Sequence, residues 1–107
     1  MPTLPLTAHA EPATIEETEV RERLAPLHSV ICHDDPITTM EFVVDVLKGV
    51  FRVPHVRAVA LMLAVHHAGA VEIGRYPEET AKRKAGRATG LARAEGFPLT
   101  FTIQPAD

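Results

Sequence analysis

The stretch Ile31-Cys32-His33-Asp34-Asp35-Pro36-Ile37-Thr38-Thr39-Met40-Glu41-Phe42 changes character twice within a few residues. An apolar run ends at His33, two acids and a proline follow, and apolar residues then return at helical spacing. Pro36 removes a backbone donor and pushes Asp35 into an extended conformation, so the strand stops here. Thr38 stands three residues before Glu41, the spacing of a capping box, which predicts a helix starting there. A strand that ends in an acidic turn and feeds a helix is a place where a small domain gathers polar groups beside its own core. That makes this stretch the candidate binding site.

Upstream of the turn, Leu27 to Cys32 alternates as a half-buried strand does, and the strand is expected to end near His33. Downstream, Met40, Val43, Val44, Leu47 and Phe51 recur at helical spacing, with Phe42, Val46 and Val50 widening the stripe, so this helix is mostly buried. Gly49 and Pro54 predict a short turn into a second helix over Pro54 to His67, closed by Gly69. In that helix Val56, Val59, Ala60 and Leu63 form one apolar stripe, while Met62, Val65 and His66 share a different face. The second face reads either as a pocket wall or as ordinary core beside a satisfied histidine. Ala70 to Tyr76 alternates as a second strand, Pro77-Glu78-Glu79 opens a third helix running to about Glu95, and Phe97 to Ile103 reads as a third strand. The cations of the third helix, at 82, 83, 84, 87 and 93, read as a solvated face. The order is β-α-α-β-α-β. The expected fold is α+β, a single compact domain over 27–107 with a three-stranded antiparallel sheet packed on three helices.

Composition narrows the partners. The chain has 107 residues, 46% of them hydrophobic, a formal net charge of −3 and no Trp. Few aromatics and an acidic balance argue against nucleic acid. A single cysteine, Cys32, excludes an internal disulfide and a cysteine-based zinc site and suits a reducing compartment. No apolar run approaches the ~20 residues of a membrane span, and residues 1–10 lack the pattern of a secretory signal. The expectation is a cytoplasmic monomer without membrane contact or cofactor. Residues 1–26 hold Pro2, Pro5 and Pro12, then Glu11, Glu16, Glu17, Glu19 and Glu22 against Arg21 and Arg23. This reads as a flexible acidic N-terminal extension in which 15–24 can become helical when docked.

Two chemistries suit the polar residues. His33, Asp34, Asp35, His66 and His67 are possible metal ligands, and a bound ion would activate water for hydrolysis. Against this, no His-x-x-x-His or Glu-x-x-His spacing occurs, and His66 and His67 point about 100° apart on a helix. The other chemistry is a cation site, with carboxylates at a turn and imidazoles beside an apolar cavity. It selects a small group that is positive at one end and apolar at the other, such as the N-terminus of a peptide.

The blocks His33-Asp34-Asp35, Thr38-Thr39-Met40-Glu41-Phe42-Val43-Val44 and Met62-Leu63-Ala64-Val65-His66, followed by Glu79, Lys84 and Pro98-Leu99, resemble the ClpS family of Clp protease adaptors. The resemblance spans about Leu27 to Ile103. It implies a non-enzymatic adaptor that binds N-degrons and delivers them to the N-terminal domain of a ClpA- or ClpC-type AAA+ unfoldase. On this resemblance His33, Asp34, Asp35 and His66 surround the substrate's N-terminal amine, with Asp35 and His66 as the clamp. Ile31, Thr38, Met40, Met62, Val65 and Leu99 form the hydrophobic pocket, where Met40 gates against β-branched side chains. Glu79 and Lys84 lie on the face that touches the unfoldase, and the acidic extension engages it during hand-off. The chain departs from the family pattern in having His33 where Asn is usual and in a turn longer by one residue at Pro36-Ile37. An adaptor that modulates the unfoldase without reading N-degrons is the alternative those departures imply.

Magnitudes separate the two halves of such a site. Burying a Leu or Phe side chain supplies roughly 1.5–3 kcal/mol, whereas micromolar binding requires roughly 8 kcal/mol. Charge-assisted hydrogen bonds at the amine, about 1.5–3 kcal/mol each, are therefore needed as well.

Overall fold

A computed structural model describes residues 25–106. The N-terminal extension, with its expected helix, lies almost wholly outside these residues. Within them the chain runs β1 (Leu27–His33), α1 (Met40–Gly49), α2 (His55–Ala68), β2 (Ala70–Pro77), α3 (Glu78–Ala94) and β3 (Thr100–Pro105). The sheet order is β2-β1-β3 and both pairings are antiparallel. This is the α+β arrangement expected from the periodicities. Among the described residues no helix is long and apolar enough to cross a membrane.

β1 is the central strand and the most buried of the three. Its alternation sends Val30 and Cys32, both with no exposure, toward the helices. Ser29, Ile31 and His33 take the other face. The β1–β2 register shifts between Val30 and Ile31, which pair with Gly74 and Glu72, so Ile73 is the extra residue of a bulge. Ile73 still reaches the core with Val43, Val46, Leu47, Phe51, Val65, Leu99 and Phe101. α3 joins that core through Ala81, Ala85, Ala88 and Ala92, a row of small residues at spacings of three and four that brings its backbone close to the sheet. Its charged residues take the outside, as expected, except Lys84, which is half-buried against the end of α1.

Local signals and tertiary packing disagree in three places. The first helix starts at Met40 with Thr39, not Thr38, as its cap: Thr39 Oγ1 accepts from the Phe42 amide at 3.1 Å. Thr38 is unavailable because its hydroxyl and amide both donate to Asp35. In α2 the predicted stripe faces water at Val56, 81% exposed, and Leu63 is 42% exposed. The buried positions are Ala58 and Val65. Residues 58–65 of this helix are all apolar, so periodicity alone does not orient it. Finally, β3 begins at Thr100, because Pro98 cannot donate to a ladder and the segment before it is held by a side chain instead. Arg93 Nη1 donates to the carbonyls of Phe97 and Leu99 at 2.9 and 2.8 Å.

Candidate functional site

A cavity of about 450 Å³ opens where β1 ends, between α1 and α2. It is lined by Asp34, Asp35, Pro36, Thr38, Met40, Val43, Met62, Val65, His66 and Leu99. Its position follows from the chain's local geometry. α2 stops at Gly69, whose φ of 91° reverses the chain into β2. His33 then pairs with Ala70, and the Asp34 amide donates to the Gly69 carbonyl at 2.8 Å, extending the ladder by one bond. This bond sets Asp34 beside the last turn of α2. His66 Nδ1 lies 3.8 Å from Asp34 Oδ2, with the side chains 52% and 36% exposed. That separation exceeds a hydrogen bond, so the mouth of the cavity presents an acid and an imidazole spaced apart.

Asp35 has a different task. Its Oδ1 accepts from the amides of Ile37 and Thr38 at 2.8 and 2.7 Å, and its Oδ2 accepts from the Thr38 hydroxyl at 2.7 Å. Desolvation opposes the charge, but the bonds from Thr38 and Ile37, helped by the Arg93 guanidinium, outweigh it and hold the carboxyl below its ordinary value. The carboxylate is thus committed to the turn that carries the chain over Pro36-Ile37 into α1. On geometry the acid that faces His66 is Asp34, which revises the pairing of Asp35 with His66.

The apolar part is formed by α1 and α2 with Leu99. Val43, Val65 and Leu99 are 7%, 2% and 1% exposed and form a fixed floor. Met62 packs half-buried beside them, and Met40, 47% exposed, stands at the rim, where an unbranched thioether can adapt to what enters. Thr38 borders the same space. Leu99 stays in place through the Arg93 bonds to its carbonyl and to that of Phe97.

Two expected residues lie elsewhere. Ile31 and His33 do not line the cavity. They alternate with Val30 and Cys32, which places them on the opposite face of the sheet, and His33 Nε2 lies 2.8 Å from Thr102 Oγ1 on β3. Glu79 is on the exposed first turn of α3, 3.9 Å from Lys82. Lys84 turns inward: its Nζ donates to the Val50 carbonyl at the end of α1 (3.1 Å) and sits 5.4 Å from the Tyr76 ring centroid. Burial and the neighbouring arginines 83, 52 and 87 push its pKa down. Val43 and Pro36 were not anticipated in the cavity, although Val43 follows Met40 by three residues on one helix face and so carried a signal. Arg93, read with the other cations of this helix as part of a solvated face, instead holds the Phe97 and Leu99 carbonyls; its place in the last turn of the helix was the hint.

The arrangement suits binding more than bond breaking. Cys32, near the end of β1, has no exposure, and burial followed by the charges of Asp34 and Asp35 pushes its thiol up to about 12, while the Thr38 hydroxyl at the cavity is engaged by Asp35. Among the described residues no three His, Cys, Asp or Glu side chains are grouped to hold a metal ion.

Comparisons with known proteins find related chains and a related fold. The profile of the family described as "ATP-dependent Clp protease adaptor protein ClpS" matches residues 23–102. The chain is 39% identical over 97 residues to the ATP-dependent Clp protease adapter protein ClpS 1 of Rhodopseudomonas palustris, covering 91% of this chain and 94% of that one. It is 45% identical over 82 residues to the ClpS adapter of Nitratidesulfovibrio vulgaris, covering 77% and 79%. The solved structure of Agrobacterium tumefaciens ClpS2 bound to L-phenylalaninamide superposes with a TM-score of 0.74 at 36% identity, covering 76% of this chain and 98% of that one.

Proposed function

Because the chain belongs to the ClpS family of ATP-dependent Clp protease adaptors, we propose that its cavity receives the first residue of an N-degron and that the chain hands this substrate to a ClpA- or ClpC-type AAA+ unfoldase. The observation that carries the reading is the pairing of Asp34 and His66, 3.8 Å apart, at the mouth of a cavity with an apolar floor. An α-ammonium group between them donates to the carboxylate and to the imidazole nitrogen, while the attached side chain enters over Met40 toward Val43, Val65 and Leu99. L-Phenylalaninamide, the ligand of the Agrobacterium tumefaciens relative, has this chemistry: a free amine next to a benzyl group. Leu, Phe, Tyr and Trp are the first residues that suit such a floor. The chain performs no reaction in this scheme; it binds and delivers, as a cytoplasmic monomer.

Glu79 supports the delivery half as an exposed acid on the first turn of α3. Lys84 contributes by holding α3 against the end of α1, so its amine acts on this surface by position.

The test is a fluorescence titration with peptides identical except at their N-terminus. Free Phe-peptide is expected to bind, and acetylation, which removes the ammonium charge, to weaken binding by roughly tenfold or more, since charge-assisted hydrogen bonds contribute about 1.5–3 kcal/mol each. Equal affinities would overturn the proposal. If no first residue binds while an unfoldase N-terminal domain does, the chain is a modulator of the unfoldase instead.

A further inference from the structure

The described residues carry a cationic cluster that its neighbours leave uncompensated. Arg52 follows α1 with a φ of 58°, Arg57 is in the first turn of α2, and Arg83 adjoins Lys84 on α3. Lys84, over the ring of Tyr76 on β2, links them: Arg83 adjoins it in sequence, and the Val50 carbonyl that it bonds precedes Arg52 by two residues. The charge of Arg57 acts on the Tyr76 hydroxyl, and those of Arg83, Arg52 and Arg87 act on Lys84. Arg52, Arg57 and Arg83 are all exposed, and among the described residues none of them makes an ion pair. Lys82, one residue away, is by contrast paired with Glu78 and Glu79.

A patch of one sign on a chain of net charge −3 calls for an acidic complement. The same chain supplies one. Residues 11–23 contain five glutamates against two arginines. This segment enters the fold at Leu27, which pairs with Pro77, and His28 pairs with Tyr76 itself. From Glu22 to Leu27 an extended chain reaches about 17 Å, and from Glu19 about 26 Å, while α3 rises only about 9 Å between Pro77 and Arg83. A tether of this length keeps the glutamates at an effective concentration in the millimolar range. That favours the chain's own segment over a separate acidic protein.

We propose that the glutamates of residues 11–22 dock on the Arg52, Arg57 and Arg83 cluster around Tyr76, so that the free protein stores its N-terminal segment along the start of α3. The docking does not depend on what the cavity binds. Only its consequence, competition with an unfoldase for the surroundings of Glu79, rests on the adaptor reading. Exposed ion pairs are individually weak and screened by salt, so the docking is reversible.

The test uses the full chain with Thr18→Cys carrying a nitroxide, a position that leaves every glutamate intact. Cys32 has no exposure and a thiol pushed up to about 12, so the label attaches at residue 18. At low salt the backbone amide signals of Arg52, Arg57 and Arg83 are expected to lose intensity. They should recover in 1 M salt, where the Debye length is about 3 Å, and again in the Arg57→Glu/Arg83→Glu double variant, whose dispersed spectrum reports that the fold persists. Signal loss confined to the residues next to Leu27, no loss at all, or loss that survives both salt and charge reversal would each overturn the proposal. Failure of a Phe-peptide to bind leaves these signals unaffected, so the two readings fail separately.

Discussion

Replacing Asp34 by Asn separates the two acids of the turn. The substitution keeps the side chain's volume and one acceptor oxygen but removes the charge that would meet the ligand's ammonium. A charge-assisted hydrogen bond is worth about 1.5–3 kcal/mol. Asp34 is 36% exposed and its partner His66 is 52% exposed, so solvent screening places this one near the lower end, about 1.5–2 kcal/mol. At 1.4 kcal/mol per decade the affinity for a free Phe-peptide should fall roughly 10- to 30-fold. Stability should barely change, within about 0.5 kcal/mol, because the bond that fixes this residue in place is the backbone one to Gly69. Asp35→Asn is expected to behave the opposite way. It disturbs three bonds to Thr38 and Ile37 and should cost about 1–3 kcal/mol of stability, affecting binding only as far as the turn loosens. Fluorescence titration and urea unfolding of both variants measure the two effects. If Asp34→Asn binds as tightly as the parent, and Asp35→Asn loses binding with an unchanged unfolding midpoint, the assignment of the acids is wrong.

Other perturbations follow from the same geometry. The Asp35 carboxyl is held below its ordinary value in the fold, so its contribution is present above the unfolded value near 3.9 and is lost as pH falls through the folded value; the stability gap between parent and Asp35→Asn should therefore close in acid, as urea titrations at stepped pH would record. Gly69→Ala meets no atom within 4 Å yet must hold a φ of 91°, so thermal melting should reveal a loss of about 1 kcal/mol from backbone strain alone. Met40→Ala removes a 47% exposed rim side chain, and peptides beginning with Val or Ile should gain affinity relative to Phe in the same titration while the melt stays nearly constant. Lys84→Met keeps the apolar stem over Tyr76 but loses the bond to Val50, lowering stability in urea by about 0.5–1.5 kcal/mol.

Much of the architecture was legible because it rests on local causes. The alternation of Leu27–His33, the helical spacing from Met40 to Leu47, the stop at Gly69 and the proline-and-acid start at Pro77-Glu78-Glu79 each act within a few residues, and the six elements appear in the expected order. The apolar side of the cavity was largely legible for the same reason, since Met62, Val65 and His66 share a helix face wherever the helix goes. Orientation was not. Val56 and Leu63 look as apolar as Ala58 and Val65 in the sequence, and only contact with the sheet selects which row is buried. Likewise Thr38 and Thr39 are equal candidates for a cap until Asp35 claims Thr38.

The polar mouth shows the same division at finer scale. His33, Asp34 and Asp35 are consecutive, and by itself the sequence determined that a histidine and two acids would stand where a strand becomes a turn. Which of them meets His66 depends on a bond between residues 35 positions apart, the Asp34 amide to the Gly69 carbonyl, and on the sheet's two-residue period, which turns His33 toward Thr102 on the opposite face. Local chemistry names the groups that can act; long-range registry decides which of them face each other, because moving one residue along a strand exchanges one face for the other.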